Sequence, residues 1–270
     1  NHNFTRSFIN NVALGGTSGV VNGNGGAITF ANVSSNCLFD CDFIDNAAAE
    51  HGGCINFNQT PHNITFKGNF KNNYAKYGGA IDIYEYEINI ENTQFANNTA
   101  EKYGGAINNE NSEIYIENSN FTQNTAKYGG AIENRYYLEI ENSNMENNYA
   151  EYGGAIDNDA SEISMKNTQF KNNTATISGG AIYNDCGKIE IADSNFTQNT
   201  ATYGGAIRSD EGETTIENSN FTNNTAEYGG AIDNWGAATI LKTQFINNHA
   251  ETAGGAIYNE EGDMTIETSD

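Results

Sequence analysis

The chain has 270 residues, 35 of them acidic against 12 basic, a formal charge of −23 and a single proline. Such a surface repels nucleic acid and anionic headgroups, and no run of about eighteen apolar residues offers a membrane span. An acidic chain rich in Asn and Gly could be disordered, but Ile and Phe recur in phase throughout it and supply a stripe to bury.

In chain order, Phe8 followed three residues later by Asn11 is the first marker. Residues 12–24, with Gly15, Gly16, Gly19 and Gly23, read as a loop inserted into the first coil. Gly25-Gly26-Ala27-Ile28 then opens a unit that returns with its first glycine at Gly52, Gly78, Gly104, Gly129, Gly153, Gly179, Gly204, Gly229 and Gly254, at spacings of 24 to 27 residues. The aromatic marker keeps step from Phe43/Asn46 to Phe245/Asn248, with Met145 standing once for phenylalanine. Two markers in fixed phase establish a repeat.

The unit from Gly104 serves for all. Ala106-Ile107 opens an extended stretch, and Asn108 to Ser112 reads as a turn. Glu113-Ile114-Tyr115-Ile116-Glu117 alternates with the period of a half-buried strand. Ser119-Asn120-Phe121 starts a third strand, Asn124 turns the chain, and Tyr128 leads into the next glycine pair. Three short strands per unit cannot bury their inner faces alone, but coils stacked at ~4.8 Å can. The expected fold is an all-β, right-handed parallel β-helix of about ten coils of about 25 residues. It forms one domain over 1–270, a segment of a longer chain or a stacking subunit. A leucine-rich repeat is excluded, since the chain has only Leu14, Leu38, Leu138 and Leu241.

Stacking puts equivalent residues into columns. Asn73, Asn98, Asn124, Asn148, Asn173, Asn199, Asn224 and Asn248 form an expected structural amide ladder at one turn. On the middle strand, Glu87, Glu91, Glu113, Glu117, Glu139 and Glu141 are expected to stack outward. Like charges this close must splay, take up protons or bind cations, so Glu91, Glu117 and Glu141 are the candidate ligands of a divalent cation such as Ca2+. The residue after each Gly-Gly-Ala-Ile is expected to point outward as a solvated face, from Thr29 and Asn56 to Asp233 and Tyr258. Within it Glu133 and Asp157 fall one coil apart, near the ~5 Å separation of a retaining glycosidase. Tyr77, Tyr103, Tyr128, Tyr152, Tyr203 and Tyr228, each just before a glycine pair, form a column that seals the turn or stacks on sugar rings. The histidines His2, His51, His62 and His249 show no ligand spacing, and Cys186 lies too far from Cys37, Cys41 and Cys54 to pair with them. Sequons at Asn32, Asn63, Asn97, Asn120, Asn172, Asn195, Asn220 and Asn223, with Asn3 and Asn58, are candidate glycosylation sites.

The paired signatures Gly-Gly-Ala-Ile and Phe-x-x-Asn, from Phe8 to Ile266, resemble those of the polymorphic outer-membrane proteins of chlamydiae. Similar repeats occur in adhesin-like surface proteins of methanogenic archaea and of some protists. The resemblance implies a β-helix displayed extracellularly on a cell surface, adhesive or structural. The chain departs from autotransported relatives in showing no C-terminal membrane barrel. The functional expectation is a non-enzymatic surface module without a cofactor, whose partners are copies of itself, adjacent repeats, or host and cell-surface glycans. The alternatives are a head-to-tail building block of an extracellular filament and a polysaccharide-active β-helix enzyme.

Overall fold

A computed structural model describes residues 2–15, 23–31, 36–58, 63–85 and 87–267. Among them every regular element is a β-strand, and the pairings are parallel. In the coil of Gly104, strands Ile107–Asn109, Glu113–Glu117 and Asn120–Thr122 pair onto Ile132–Asn134, Tyr137–Glu141 and Asn144–Glu146 of the next coil. The strands that follow the glycine pairs form a ten-stranded sheet, so nine inter-coil steps separate its first strand from its last. The middle and third strands join into a 19-stranded sheet, because Ile64–Lys71 and Glu87–Ala96 each run through both positions. The molecule is a parallel β-solenoid.

Two local expectations change. Asn108 and Asn109 belong to a strand, and the chain turns only after them; their parallel partners in both neighbouring coils extend the ladder to this point. A fourth, narrow ladder also precedes the glycines, as in Tyr74–Tyr77 pairing Thr99–Tyr103 and in isolated bridges at Thr125 and Tyr128. At the inserted loop, Val12–Ala13 pairs with Ala47–Ala48, while residues 16–22 lie outside the described residues.

The interior is a set of columns. Phe43, Phe70, Phe95 and Phe121 stack nearly parallel with centroids 4.7 to 4.9 Å apart, and Phe170, Phe196 and Phe221 repeat the arrangement beyond Met145. Beside them runs an amide ladder from Asn11 to Asn248. The Asn98 side-chain nitrogen donates to Asn124 Oδ1 (3.0 Å) and to the Phe70 carbonyl (2.9 Å), and the Asn98 backbone N–H donates to the same Asn124 oxygen (3.0 Å). Each buried amide is thereby saturated on both atoms. The residue just before it takes a left-handed conformation, as at Asn97 (φ 54°) and Gln123 (φ 56°), which favours the amide residues found there.

A second amide column, begun by Asn109 within the expected turn, lies in the interior. Asn109 donates to Asn134 Oδ1 (2.8 Å), Asn134 to Asn158 (2.9 Å) and Asn158 to Asn184 (2.8 Å). Asn109 and Asn158 also tie down the loop that follows, Asn109 through the Ser112 carbonyl (2.8 Å) and N–H (2.9 Å) and Asn158 through the Ser161 carbonyl (2.9 Å), while Asn134 donates to the Ser161 hydroxyl of the next coil (2.9 Å). Ser209 interrupts the column and accepts from Asn184 (3.2 Å) and from the Thr214 hydroxyl (3.0 Å).

Candidate functional site

The glycine pair creates the site. Gly104 has φ +59°, and a Cβ there would lie 1.9 Å from the Ile107 carbonyl oxygen; one on Gly105 would lie 2.0 Å from the Gly130 oxygen of the next coil. Only glycines permit this sharp reversal and this close stacking. The reversal folds the residue before the pair back over the residue that follows Ala-Ile, and the coils stack this corner into a long outer groove.

This geometry corrects the expected solvated face. Asp82, Asn108, Glu133, Asp157, Arg208 and Asp233 are all buried, Glu133 to 1 % and Asp233 to 0 % exposure. The column does leave the coil on its outer side, but the corner is concave. The tyrosines form one wall over it, and residues two positions further on, among them Tyr84, Glu110, Arg135, Asp210 and Trp235, form the other.

The tyrosines of the first wall stack face to face or tilted, from Tyr77–Tyr103 at 5.7 Å to Tyr128–Tyr152 at 5.2 Å. Ser178 and Ala253 break the column, and in both cases a tyrosine five residues later, Tyr183 or Tyr258, leans over from the floor. Tyr183 packs on Tyr152 (5.5 Å) and Tyr258 on Tyr228 (5.6 Å). At each break the stack is extended by one ring from the floor column.

Charge on the floor is compensated unevenly. Asp82 accepts from His51 Nδ1 (2.8 Å), Asn56 (3.1 Å) and Asn108 (2.6 Å), and that bond holds the His51 pKa above the usual imidazole value. Arg135 lies 4.1 Å over the Tyr103 ring and reaches Glu133 (2.8 Å), Asp159 (3.1 Å) and Glu110 (3.9 Å). Arg208 packs on Trp235 (4.9 Å) and Tyr203 (5.5 Å) while pairing with Asp210 and Asp233. Glu133 and Asp157 sit opposite each other in register. Burial pushes both carboxyls well above the usual range; Asp157 adds to the rise at Glu133, Asp159 and Asp185 add to it at Asp157, and Arg135 opposes both. Burial also raises Asp233, against Arg208, to about 6. Asn56 Oδ1, Asn108 Oδ1, Glu133 Oε2 and Asp233 Oδ1 are buried without a hydrogen-bond partner. A groove that combines aromatic walls with unsatisfied acceptor oxygens can take a ligand that brings donors.

The other candidate residues lie elsewhere. Glu91, Glu117 and Glu141 are in register one coil apart, with Lys67 paired to Glu91 (3.0 Å) and Lys166 opposite Glu141. Glu139, however, pairs with Tyr115, and Glu113 with Tyr137, so the expected stack of six glutamates is shorter than its sequence suggests. Among the described residues no group of three or more His, Cys, Asp or Glu is arranged to hold a metal ion.

Asn120, Asn195 and Asn220 share one column at the start of the third strands, with Asn220 donating to Asn195 (3.0 Å). Asn97, Asn172 and Asn223 occupy left-handed turns, Asn63 is exposed, and Asn32 lies outside the described residues. Cys37, Cys41 and Cys54 are buried, and Cys186 is exposed. Among the described residues, His51 is the histidine that contributes to the groove. Sequence inspection could have found the groove from the five-residue spacing that couples Tyr128 to Glu133, Tyr152 to Asp157 and Tyr203 to Arg208.

Three stretches, residues 92–110, 167–185 and 242–260, match the Chlamydia polymorphic membrane protein repeat. Each contains the aromatic marker, the ladder asparagine, the glycine pair and the groove residue after Ala-Ile. No curated protein and no solved structure is significantly similar to the chain. Over these stretches the chain is similar to the repeat of a membrane-protein family.

Proposed function

We propose that the chain is a structural and adhesive module displayed on the outside of a cell, wound right-handed as parallel crossovers favour, and that it carries no catalytic site. The observation that carries this reading is where the repeated residues are spent. The Phe stack, both amide ladders and the glycine pair are all architectural, and they hold a repeated corner along the outer side of the stack, open as clefts at Asp82 and at Asp233 and covered at Glu133 and Asp157. A rigid rod with a repeated surface suits display and many-point contact better than turnover at one place. Partners suited to this surface are adjacent repeats, other copies and cell-surface glycans.

Labelling intact cells with a membrane-impermeant reagent tests the location, and adhesion of beads coated with the purified protein tests the role. Labelling only after lysis would overturn display; inert beads on every cell type and matrix tried would overturn adhesion.

A second reading has one observation in its favour. Glu133 and Asp157 form a buried carboxyl pair with raised pKa values, and polysaccharide hydrolysis uses one such protonated carboxyl as general acid beside an ionised partner. Arg135 already holds Glu133, and the pair is roofed by its own groove walls, so a substrate would have to displace both. Turnover of acidic or neutral polysaccharides that is abolished in Glu133→Gln would establish this reading over the first.

A further inference from the structure

We infer that the cleft bounded by Tyr228, Trp235 and Tyr258 over Asp233 and Glu260 binds an organic cation, specifically the guanidinium of an arginine side chain presented by a partner polypeptide. The cleft measures about 260 Å³ and also touches Tyr203 and Arg208. The inference concerns this one cleft and holds whether or not the protein is adhesive.

The chain itself shows twice what such surroundings hold. Arg135 lies over one tyrosine of the wall and reaches three carboxylates. Arg208 lies between Tyr203 and Trp235 and reaches two. Both are guanidinium groups on aromatic faces with carboxylates at the edges, the arrangement that best suits a planar, weakly hydrated cation.

One coil beyond Arg208 the walls recur and the cation does not. Tyr203 is followed by Tyr228, and the position of Arg208 is taken in register by Asp233 and then Tyr258. The aromatic faces are present, and the floor has changed from a guanidinium to a carboxylate.

A second, independent observation points to a donor from outside. Asp233 is 0 % exposed and lines the cleft; one of its oxygens pairs with Arg208, while Oδ1 has no hydrogen-bond partner. A buried carboxylate oxygen without a donor is costly, and a charged N–H satisfies it better than a neutral hydroxyl. Trp235, the only tryptophan of the chain, holds Arg208 against one side and is still 37 % exposed at the rim, so part of its ring faces the cleft. Asp210, Asp233 and Glu260 face a single Arg208, so the local field attracts cations and repels anions.

Trp235 also provides the measurement, because all tryptophan emission comes from this cleft. The purified chain is titrated with N-acetyl-arginine-N-methylamide, with the uncharged citrulline analogue and with a neutral oligosaccharide. Arginine is expected to give a saturable change in emission at least fivefold tighter than either control, weakened by salt. Asp233→Asn should lower that affinity about tenfold, and Glu260→Gln, on an exposed side chain that folding does not need, about threefold. Affinity should also fall as pH is lowered through about 6, where Asp233, faced by Arg208, Asp210 and Glu260, takes up a proton. Equal response to citrulline, tighter binding of the oligosaccharide, or unchanged affinity in both variants would overturn the inference.

Discussion

One inward column of the ten-stranded sheet changes its chemistry along the stack. In the first coils it is apolar, with Phe30, Phe57 and Ile83 in register. From the next coil onward it is amide, running Asn109, Asn134, Asn158 and Asn184, then Ser209, Asn234 and Asn259. The first part is held by aromatic contacts such as Phe57–Phe66 at 6.1 Å and Phe30–Phe39 at 5.8 Å. The second is held by amide bonds that also clamp the adjoining loop. In the later coils that loop carries Gly187 and Gly212, where a Cβ would lie 2.2 and 2.3 Å from the Asn158 and Asn184 side-chain nitrogens. The comparison teaches that a column of buried amides is held by bonds to the neighbouring coils and the adjoining loop, which saturate most of its members and leave Asn234 Oδ1 unpartnered beyond the Ser209 break. Hydrophobicity alone does not define the interior of this solenoid.

Phe57→Ala should give the largest effect, about 3–5 kcal/mol from the lost ring and the cavity left behind, read by denaturant melts. Hydrogen exchange should place the loss in the first coils, because stability in a stacked repeat is local. Uniform loss of protection along the stack would show that the two regions do not differ in this way.

Asn134→Ala should cost about 1–3 kcal/mol by leaving Asn109 and loop groups unpaired. Asn134→Leu should be no better, although leucine would suit a purely apolar column. A leucine variant as stable as the parent would reduce the amide column to filler.

The outer side of the same sheet divides similarly, with Thr29 and Asn56 on the groove floor at first and carboxyls such as Glu133, Asp157 and Asp233 later. These carboxyls have raised pKa values in the folded state, so the folded chain binds protons more readily than the unfolded one. Their stabilising contribution is fully present below the unfolded value and lost as pH rises through the folded value, for Asp233 from 3.8 to about 6. The melting temperature should therefore fall as pH rises through this window, and Glu133→Gln with Asp157→Asn should flatten the dependence. A melting temperature that climbs with pH over the same range would contradict the burial of the floor.

The smallest effect should be a gain. Ser209→Asn together with Thr214→Ile restores the amide at the one break and the aliphatic residue beside it, adding up to about 1 kcal/mol. Either change alone should be neutral or destabilising, since each would strand its hydrogen-bonded partner, and a double-mutant cycle reads the coupling.

The period, the parallel stacking and the Phe and Asn columns could be read from the chain because they rest on local alternation and on equivalent residues recurring at a near-constant interval. Ile114 and Ile116 declare a strand by themselves, and Asn98 and Asn124 fall into line once coils are stacked. Asn109 misled, because an asparagine after a short apolar stretch has the chemistry of a turn, and only its neighbours above and below make it an interior ladder residue. Glu133 and Asp233 misled for a different reason. Alternation says which side of a strand a side chain leaves from, but not whether that side is open. The φ of Gly104 and Gly129, the narrow fourth ladder and the tyrosines it carries decide that the corner is concave and covered. Sequence alone therefore determined the solenoid and most of its columns, while the tertiary structure decided which outward residues are buried, since concavity depends on how segments far apart along each coil close around one corner.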